Sequence, residues 1–375
     1  MKGKALILSV LLIISAMPCT SYAIADSAYS ACAINGVTGE IVFEKNAHNQ
    51  HTMASTTKIM TAAVALENSN LDDVITVSEG AAIQEGSSAY IEPGDQIYMR
   101  DMLFGLMLNS GNDAAYAIAE HIAGSREAFA DIMNWYAWNK MGAMDTQFIN
   151  PSGLDGEGHY STAYDMALIT KYAMKIPEFR RIVATKTMVA QPINRETPLY
   201  FSNHNKLLDE YEGCIGVKTG YTSTTGRCLV SAAERDGMMF IAVTLDDSDD
   251  WNSHREMLDY CFRNNSAKKA ISKGQVVKCA SVDGETYNFV YGDDFQVPVG
   301  NDSKLELKVV NHMDNNLARP INKGEKVGWA EIFFGDTLIG TVDIISESEI
   351  RDVSNIRLKN SFFGSFLRAF NMWLI

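Results

Sequence analysis

Positive charge is scarce in this sequence, and that scarcity limits the possible partners. The 375 residues include 46 Asp and Glu but only 32 Lys and Arg, which gives a formal net charge of −14 at pH 7. Phosphate binding needs a basic face, so we expect no nucleic-acid partner. An acidic chain is also repelled by anionic lipid, so any attraction to a membrane must be mainly hydrophobic.

The residue patterns that would hold a metal or a nucleotide are also missing. None of the seven histidines forms a His-x-x-x-His pair, and there is no glycine-rich phosphate loop. The sequence therefore predicts neither a metal site nor another cofactor. It also lacks a glycosyltransferase domain, so we expect no polymerase activity.

Cysteines are few and scattered. One of the six, Cys19, falls in the N-terminal segment, which leaves an odd number without metal-ligand spacing. Small folds stapled by disulfides have a different pattern. We expect mostly buried free thiols, with at most one disulfide bond.

The apolar stretch near the N-terminus is too short to cross a membrane. Ala5–Ile14 spans ten residues, whereas a bilayer core needs about 20. Lys2 and Lys4 precede it, and Ser21-Tyr22-Ala23 offers small residues at the spacing that signal peptidase recognises. Residues 1–23 are therefore predicted to be a signal peptide, and the protein to be exported.

With 46% apolar residues, the chain has material for two packed cores. The first, predicted at 26–264, has strands at both ends around a helix-rich middle, in which Thr162 is a predicted N-cap and Pro177 a terminator. This order favours an α+β domain, with one sheet built from both ends and a helical cluster against it. The predicted strands are Tyr29–Asn35, Glu40–Glu44, Gly213–Gly220, Arg227–Glu234 and Met238–Leu245.

The remaining residues predict three further parts. Met257–Ala270 is interpreted as a closing helix followed by a polar linker. Residues 275–350 alternate in short runs broken by turn residues, which is typical of a small all-β domain. Residues 355–375 carry an aromatic stripe at helical spacing and basic residues beside it, which favours an amphipathic helix lying in a membrane surface. The alternative is a helix docked on the β domain.

The first chemical motif is Ser55-Thr56-Thr57-Lys58. The i and i+3 spacing places the hydroxyl of Ser55 and the amine of Lys58 on one face of a helical turn. Serine needs a base to become a nucleophile, and a lysine can be that base only if burial or nearby positive charge removes its proton. By itself the pattern also fits an ordinary exposed helix.

Two further motifs follow in the chain. Ser110-Gly111-Asn112 separates two apolar helical runs, and is either a turn with Asn112 as a cap or a proton relay. Lys218-Thr219-Gly220 ends a predicted strand. It is either a strand end with a solvated lysine or an edge that pairs with an extended substrate, with Gly220 leaving room for close approach.

Together, in this order, the three motifs are the signature of penicillin-binding proteins and class A β-lactamases. The chain closely resembles the low-molecular-mass penicillin-binding proteins, the D-alanyl-D-alanine carboxypeptidases of peptidase family S11. The resemblance rests on Ala54–Met60, Leu108–Ala114, Asn150–Leu154 and Gly216–Tyr221, and it extends to the signal peptide, the β domain and the amphipathic tail.

The resemblance implies a penicillin-recognising α/β sandwich and a substrate, peptidoglycan stem peptides ending in D-Ala-D-Ala. Ser55 would be acylated by the penultimate D-alanine and Lys58 would be the general base. Ser110 and Asn112 would complete the proton relay. β-Lactam antibiotics would acylate the same serine and leave slowly.

The resemblance also implies which residues bind the substrate. Lys218 and Thr219 would bind the terminal carboxylate, beside Gly220, and the backbone N–H groups of Ser55 and Tyr221 would form the oxyanion hole. The enzyme would work outside the cell, held at the outer face of the cytoplasmic membrane by its C-terminal helix. His159 is interpreted as a structural loop residue.

Three alternatives stay open. A class A β-lactamase needs a Glu-x-x-x-Asn loop for deacylation, but the only glutamate in Phe148–Thr162 is Glu157, with Ser161 four residues later. A catalytically silent wall-binding protein is disfavoured because all three motifs are intact. A DD-endopeptidase would use the same residues as the carboxypeptidase.

Overall fold

The computed structural model describes residues 24–282, 285–301, 307–313, 320–351 and 357–360. The predicted signal peptide, residues 1–23, lies outside them, and so do positions 361–375 of the predicted tail helix.

The strands, in chain order, are β1 Ala28–Asn35, β2 Ile41–Lys45, β3 Val74–Thr76, β4 Gln96–Tyr98, β5 Thr187–Ala190, β6 Leu199–Ser202, β7 Cys214–Thr222, β8 Gly226–Arg235, β9 Met238–Asp247, β10 Asn265–Ile271, β11 Val276–Val282, β12 Glu285–Tyr291, β13 Phe295–Gly300, β14 Leu307–Met313, β15 Lys326–Phe334, β16 Thr337–Ser346 and β17 Arg357–Asn360.

The helices are α1 Lys58–Asn68, α2 Glu79–Ala82, α3 Met99–Leu108, α4 Asn112–Ala123, α5 Arg126–Tyr136, α6 Ala163–Ala173, α7 Pro177–Ala184, α8 Leu207–Glu210 and α9 Asp250–Asn264. A 3₁₀ turn, Ala54–Thr57, leads directly into α1, and a π-helical turn, Ala137–Met141, follows α5.

A five-stranded antiparallel sheet forms the centre of the N-terminal part, in the order β2-β1-β9-β8-β7. Alternate residues of β1 point to opposite faces. Cys32 and Ile34 join the core beneath the helical cluster, whereas Ala31 and Ala33 join a second core beneath α9. Helices therefore cover both faces, and the predicted mixed α/β architecture is confirmed.

The middle of the helical cluster is α1. Its residues Lys58–Ala65 are all fully buried, as expected for a helix that is apolar almost all round. The exception to the apolar pattern at its first turn is Lys58 itself. A long cationic side chain at such a place must be compensated by specific partners.

The C-terminal part is all-β, as predicted. Its six-stranded sheet has the order β14-β15-β16-β12-β11-β17, and β10 pairs with β13 beside it. Phe289, Val297 and Ile332 are in its core. A hydrogen bond of 2.8 Å from Asn35 Nδ2 to the carbonyl of Pro298 joins it to the end of β1.

Two predictions about local structure were wrong. The polar stretch after α9 is a strand rather than a linker, because pairing of β10 with β13 satisfies its backbone while its polar side chains stay in solvent. Arg357–Asn360, in the predicted tail helix, is a strand paired with β11. Pro177 lies beyond the end of α6, as predicted, and is also the first residue of α7, where the missing N–H of proline has no helical partner to lose.

The cysteine prediction is confirmed in the described part of the chain, where Cys32, Cys214, Cys228, Cys261 and Cys279 are all free thiols. The predicted domain bounds of 26–264 and 275–350 stay predictions. No helix within the described ranges is long and apolar enough to cross a membrane.

The stability of the sheet is expected to depend on pH through His254. Its ring is fully buried between the Ser231 hydroxyl, 2.5 Å from Nδ1, and the Thr244 hydroxyl, 3.1 Å from Nε2. Burial lowers the pKa of His254 to about 3. Because the unfolded chain binds this proton near pH 6.5, stability is complete above that pH and is lost as the pH falls toward about 3.

We expect His254→Gln to flatten this dependence. Between pH 7 and pH 4.5, the wild-type free energy of unfolding should fall by about 2 to 3 kcal/mol more than that of the variant. Urea unfolding at pH 7 and pH 4.5 measures the fall in unfolding free energy of each protein. The contribution of the carboxylates is the same in both proteins, so it cancels when the two falls are compared. Equal losses in the two proteins would contradict the assignment.

Candidate active site

The predicted nucleophile lies in the 3₁₀ turn that leads into α1. Thr56 Oγ1 donates to the carbonyl of Met53 at 2.6 Å, which holds the turn, and β7 packs closely against it. A Cβ at Gly220 would lie 3.1 Å from the Ser55 nitrogen and 3.2 Å from Ala54 Cβ. A Cβ at position 220 would therefore be crowded, and its absence lets β7 pack closely against the serine turn.

Lys58 is fully buried and its Nζ has three partners. They are Ser55 Oγ at 3.0 Å, Asn112 Oδ1 at 2.7 Å and the carbonyl oxygen of Ser152 at 2.6 Å. Burial lowers the pKa of Lys58 well below its usual range, and the positive charge of Lys218 lowers it further. The amine form is therefore strongly favoured relative to an exposed lysine.

The identity of these partners fixes the direction of the Lys58 lone pair. An amide oxygen and a backbone carbonyl are acceptors only, so Asn112 and Ser152 take the two N–H bonds of the neutral amine. The lone pair is left for Ser55 Oγ, which can donate its proton to it. In the neutral form of Lys58, the Ser55 hydroxyl is thus hydrogen-bonded to a base.

Asn112 begins α4 but does not cap it, because Gly111 is at the N-cap position. Its Nδ2 donates to the carbonyl of Glu85 at 2.5 Å, and this bond leaves Oδ1 to face Lys58. The cap interpretation is therefore wrong, and the contact with Lys58 is direct.

Ser110 is the residue between α3 and the Gly111 turn. Its φ is +59°, which is uncommon for a residue other than glycine. The side chain is buried, and Oγ has no hydrogen-bond partner among the described residues. A buried hydroxyl without a partner is available to a ligand, and this location is next to Asn112.

Lys218 is buried on β7, so the solvated-lysine alternative is wrong. Burial lowers the pKa of Lys218 to about 7, and its Nζ donates to the carbonyl of Thr219 at 2.8 Å. No other described strand pairs with the outer edge of β7, so that edge is free to receive an extended peptide. Thr219 is half-buried there and Tyr221 is exposed.

His159 is structural, as interpreted from the sequence. Its Nδ1 accepts from the Ile149 N–H at 3.2 Å, so its proton is on Nε2, which donates to Thr57 Oγ1 at 3.0 Å. Burial lowers the pKa of His159 to about 4, which keeps the ring neutral. His159 thus stabilises the turn before Lys58 through its hydrogen bond to Thr57.

Sequence reasoning missed two contributors. The carbonyl of Ser152 is backbone, so no residue type marks it; the turn that presents it depends on Asn150 Oδ1, which accepts from the Gly153 N–H at 2.8 Å. The second is Asp113, a buried carboxylate that accepts from Ser88 Oγ at 2.6 Å and from the Ala89 N–H at 2.8 Å. The sequence did carry a signal for Asp113, because it is a charged residue within the apolar start of α4.

Within the described ranges, no group of three or more His, Cys, Asp or Glu side chains could hold a metal ion. The site brings together the Ser55 hydroxyl, the buried Lys58 amine, the Ser110 hydroxyl without a partner among the described residues, and the buried Lys218. A nucleophile, a base, a proton donor and a cation beside a free strand edge suit acyl transfer from a peptide with a free carboxyl terminus.

Two family models match the chain. One, described as D-alanyl-D-alanine carboxypeptidase, matches residues 18–249. The other, described as the C-terminal domain of penicillin-binding protein 5, matches residues 266–352.

Individual relatives agree with these matches. D-alanyl-D-alanine carboxypeptidase DacF of Bacillus subtilis is 33% identical over 326 residues, which are 81% of each chain. DacD of Escherichia coli is 29% identical over 353 residues, 87% of each chain. Among solved structures, penicillin-binding protein 5 from Haemophilus influenzae has a TM-score of 0.63 at 26% identity, covering 89% of this chain and 99% of its own.

Proposed function

The chain belongs to the D-alanyl-D-alanine carboxypeptidase family, and we propose that it removes the terminal D-alanine from peptidoglycan stem peptides with Ser55 as nucleophile. The observation that carries the assignment of Ser55 is the orientation of Lys58. Two obligate acceptors take the N–H bonds of its neutral amine and leave the lone pair for the Ser55 hydroxyl.

The substrate peptide would lie along the free edge of β7, with its terminal carboxylate at Lys218 and Thr219. Ser55 Oγ bonds to the carbonyl carbon of the penultimate D-alanine while its proton passes to Lys58 Nζ. The backbone N–H groups of Ser55 and Tyr221 would stabilise the oxyanion. The C–N bond then breaks, and the leaving nitrogen takes the proton from Lys58 through the Ser110 hydroxyl, so free D-alanine departs.

Hydrolysis reverses these roles. A water molecule attacks the ester carbonyl and gives its proton to Lys58, and Ser55 Oγ recovers a proton as it leaves. A penicillin offers an amide in its four-membered ring to the same attack. The ring nitrogen stays tethered to the acyl group after the C–N bond breaks, so it continues to occupy the path of the incoming water.

Lys218 would supply selectivity for a free carboxyl terminus. The pKa of Lys218 is about 7 in the free enzyme, so the residue is only partly protonated there. A bound carboxylate would raise this pKa and complete the protonation of Lys218. A substrate with an amidated terminus would leave the buried cation without a counter-charge. The family assignment and this charge arrangement support a carboxypeptidase over an enzyme that accepts only internal bonds.

The function is tested by incubating the enzyme with a muramyl pentapeptide and measuring released D-alanine by mass spectrometry. We expect one D-alanine per peptide, and no release after pretreatment with penicillin. Absence of release without penicillin would refute the proposal.

Two related activities use the same acyl-enzyme. For a β-lactamase, a labelled penicillin adduct would decay many times per second, whereas we expect slow decay. For a transpeptidase, an added amine would capture the acyl group; the solved Streptomyces K15 structures, titled DD-transpeptidase, are 33–34% identical over 63–65% of this chain. Supplying an amine acceptor and measuring the amide product separates the two outcomes.

We expect Ser110→Ala to lower kcat by about 10²- to 10⁴-fold, because the leaving nitrogen loses its proton donor. Steady-state D-alanine release measures this. Ser110→Gly is the matched control for stability, since glycine accepts the positive φ without strain. It should match or exceed the wild type in unfolding free energy and still lose activity. Full activity in either variant would contradict the relay.

We further propose that the protein is exported and held at the outer face of the cytoplasmic membrane. Residues 1–23 and 361–375, which would direct export and anchoring, lie outside the described part of the chain. Because β17 pairs with β11, a test of the anchor should remove residues 361–375 and leave Arg357–Asn360 in place. An unchanged membrane fraction after this deletion would refute the anchor.

A further inference from the structure

Three chain segments that carry the proposed catalytic groups meet at one small polar cluster, made of Thr52, Asp155, Thr222 and Thr225. Thr52 precedes the Ser55 turn. Asp155 follows the loop whose Ser152 carbonyl binds Lys58. Thr222 and Thr225 form the turn that follows Tyr221. The cluster thus joins the segments that carry Ser55, the Ser152 carbonyl and the Tyr221 N–H.

The hydrogen bonds of this cluster, which we call the Asp155 cluster, all cross between segments. Asp155 Oδ2 accepts from Thr222 Oγ1 at 2.7 Å, and Oδ1 accepts from Thr225 Oγ1 at 2.9 Å. Thr225 Oγ1 and Thr52 Oγ1 are 2.7 Å apart. These partners are separated by 67, 70 and 173 positions along the chain.

The number of hydroxyl protons available determines which group donates in each of these hydrogen bonds. An ionised carboxylate is an acceptor only, so the Thr225 hydroxyl must donate to Asp155. Thr225 has no second hydroxyl proton, so Thr52 must donate to Thr225. The chain of donors therefore runs from Thr52 through the buried Thr225 to Asp155, and only a carboxylate at position 155 can accept from both threonines of the turn.

A local turn motif explains only part of this arrangement. The Thr225 N–H donates to Thr222 Oγ1 at 3.0 Å, and that bond is sufficient to shape the turn. It does not require an acidic residue from another loop, nor a hydroxyl from the segment before Ser55. The bonds that involve Asp155 and Thr52 fix the distance between segments instead.

We propose that Asp155 is a positioning residue that sets the spacing between the Ser55 turn and the Tyr221 N–H, and hence the width of the oxyanion hole. The proposal rests on the proposed function, because it assigns those two N–H groups to the oxyanion. The contact to be maintained is tight, since a Cβ at Gly220 would lie only 3.1 Å from the Ser55 nitrogen. A displacement of about 1 Å in such a site can cost about 10²-fold in rate.

The test measures penicillin acylation by stopped flow, which separates the binding constant from the acylation rate constant at saturation. Asp155→Asn is expected to lower the acylation rate constant by about 10- to 100-fold and to change the binding constant less than about threefold. Glu157→Gln is the matched control. It removes an equal charge from the same exposed loop, and Glu157 makes no side-chain hydrogen bond to the described residues.

A second pair of variants does not depend on the charge. Thr225→Val removes the hydroxyl at constant shape and should show the same slow acylation, whereas Thr225→Ser retains the hydroxyl and should recover most of the rate. In the double variant of Asp155→Asn and Thr225→Val, the two losses should add only in part, because both variants disturb the bond between Asp155 and Thr225. Circular dichroism verifies that each protein is folded at the assay temperature.

Equal acylation rate constants in Asp155→Asn and Glu157→Gln would overturn the proposal. A change confined to the binding constant would also overturn it, because a positioning role acts on the reaction step. Failure of the proposed function is distinguishable, since the wild type itself would then release no D-alanine from the pentapeptide, whatever the acylation rate constants of the variants.

Discussion

Replacing Ser55 with alanine is expected to lower D-alanine release by about 10⁴- to 10⁶-fold and to abolish the covalent penicillin adduct. In the proposed mechanism, the Ser55 hydroxyl oxygen forms the covalent bond to the substrate. Its side-chain hydrogen bond is to Lys58, so its removal leaves the rest of the site intact. Intact-protein mass spectrometry detects the adduct, and D-alanine assays measure the residual rate.

Ser69→Ala is the matched control for this variant. Ser69 follows α1 at its opposite end, where its hydroxyl donates to the carbonyl of Ala65 at 2.7 Å. Each variant removes one partly buried hydroxyl beside the same helix, and only Ser55→Ala should lose activity. A penicillin adduct that persists in Ser55→Ala would show that another residue is the nucleophile.

The second large effect is expected at Lys58. Lys58→Arg keeps a cation that does not lose its proton in proteins, and Lys58→Met keeps a similar shape without a lone pair. Each should lower the acylation rate constant by about 10³-fold or more, because the proton of Ser55 then has no acceptor. Wild-type activity in Lys58→Arg would contradict the role of a neutral amine.

The pH dependence of activity also tests whether Lys58 acts as a neutral base. The pKa of Lys58 is lowered, so the neutral base is present above it, and kcat/KM should rise with pH through that value. Lys218 must be protonated to attract the terminal carboxylate, so kcat/KM should decline above about pH 7, the pKa of Lys218. The pKa of His204 is also lowered, by partial desolvation and by the charge of Lys218, so this ring is mostly neutral over the declining range.

The stability of the protein should reflect Lys58 as well. Its pKa is lowered on folding, so its contribution to stability is complete above the unfolded value near 10.4 and is lost as the pH falls. The unfolding free energy of the wild type should therefore rise relative to that of Lys58→Met between pH 7 and pH 9, with a maximum slope of about 1.4 kcal/mol per pH unit. A constant difference would mean that Lys58 titrates normally.

Much of the fold could be predicted because the signals were local. The β1–β2 hairpin and strands β7, β8 and β9 follow from alternation and turn residues, and Thr162 caps α6 as expected from its sequence. The stretch at 264–269 was misinterpreted because its side chains are polar. What makes it a strand is pairing with β13, more than twenty residues later, and local composition carries no record of that partner.

The candidate site divides in the same way. The sequence by itself determined which groups are present, since Ser55 and Lys58 are neighbours on one helical turn whatever the rest of the chain does. Only the tertiary structure decided what state Lys58 is in. Its acceptors come from Asn112 and Ser152, 54 and 94 positions away, and its burial comes from the packed helical cluster. A pKa depends on desolvation and on nearby charge, and both are properties of the assembled core that no short motif contains.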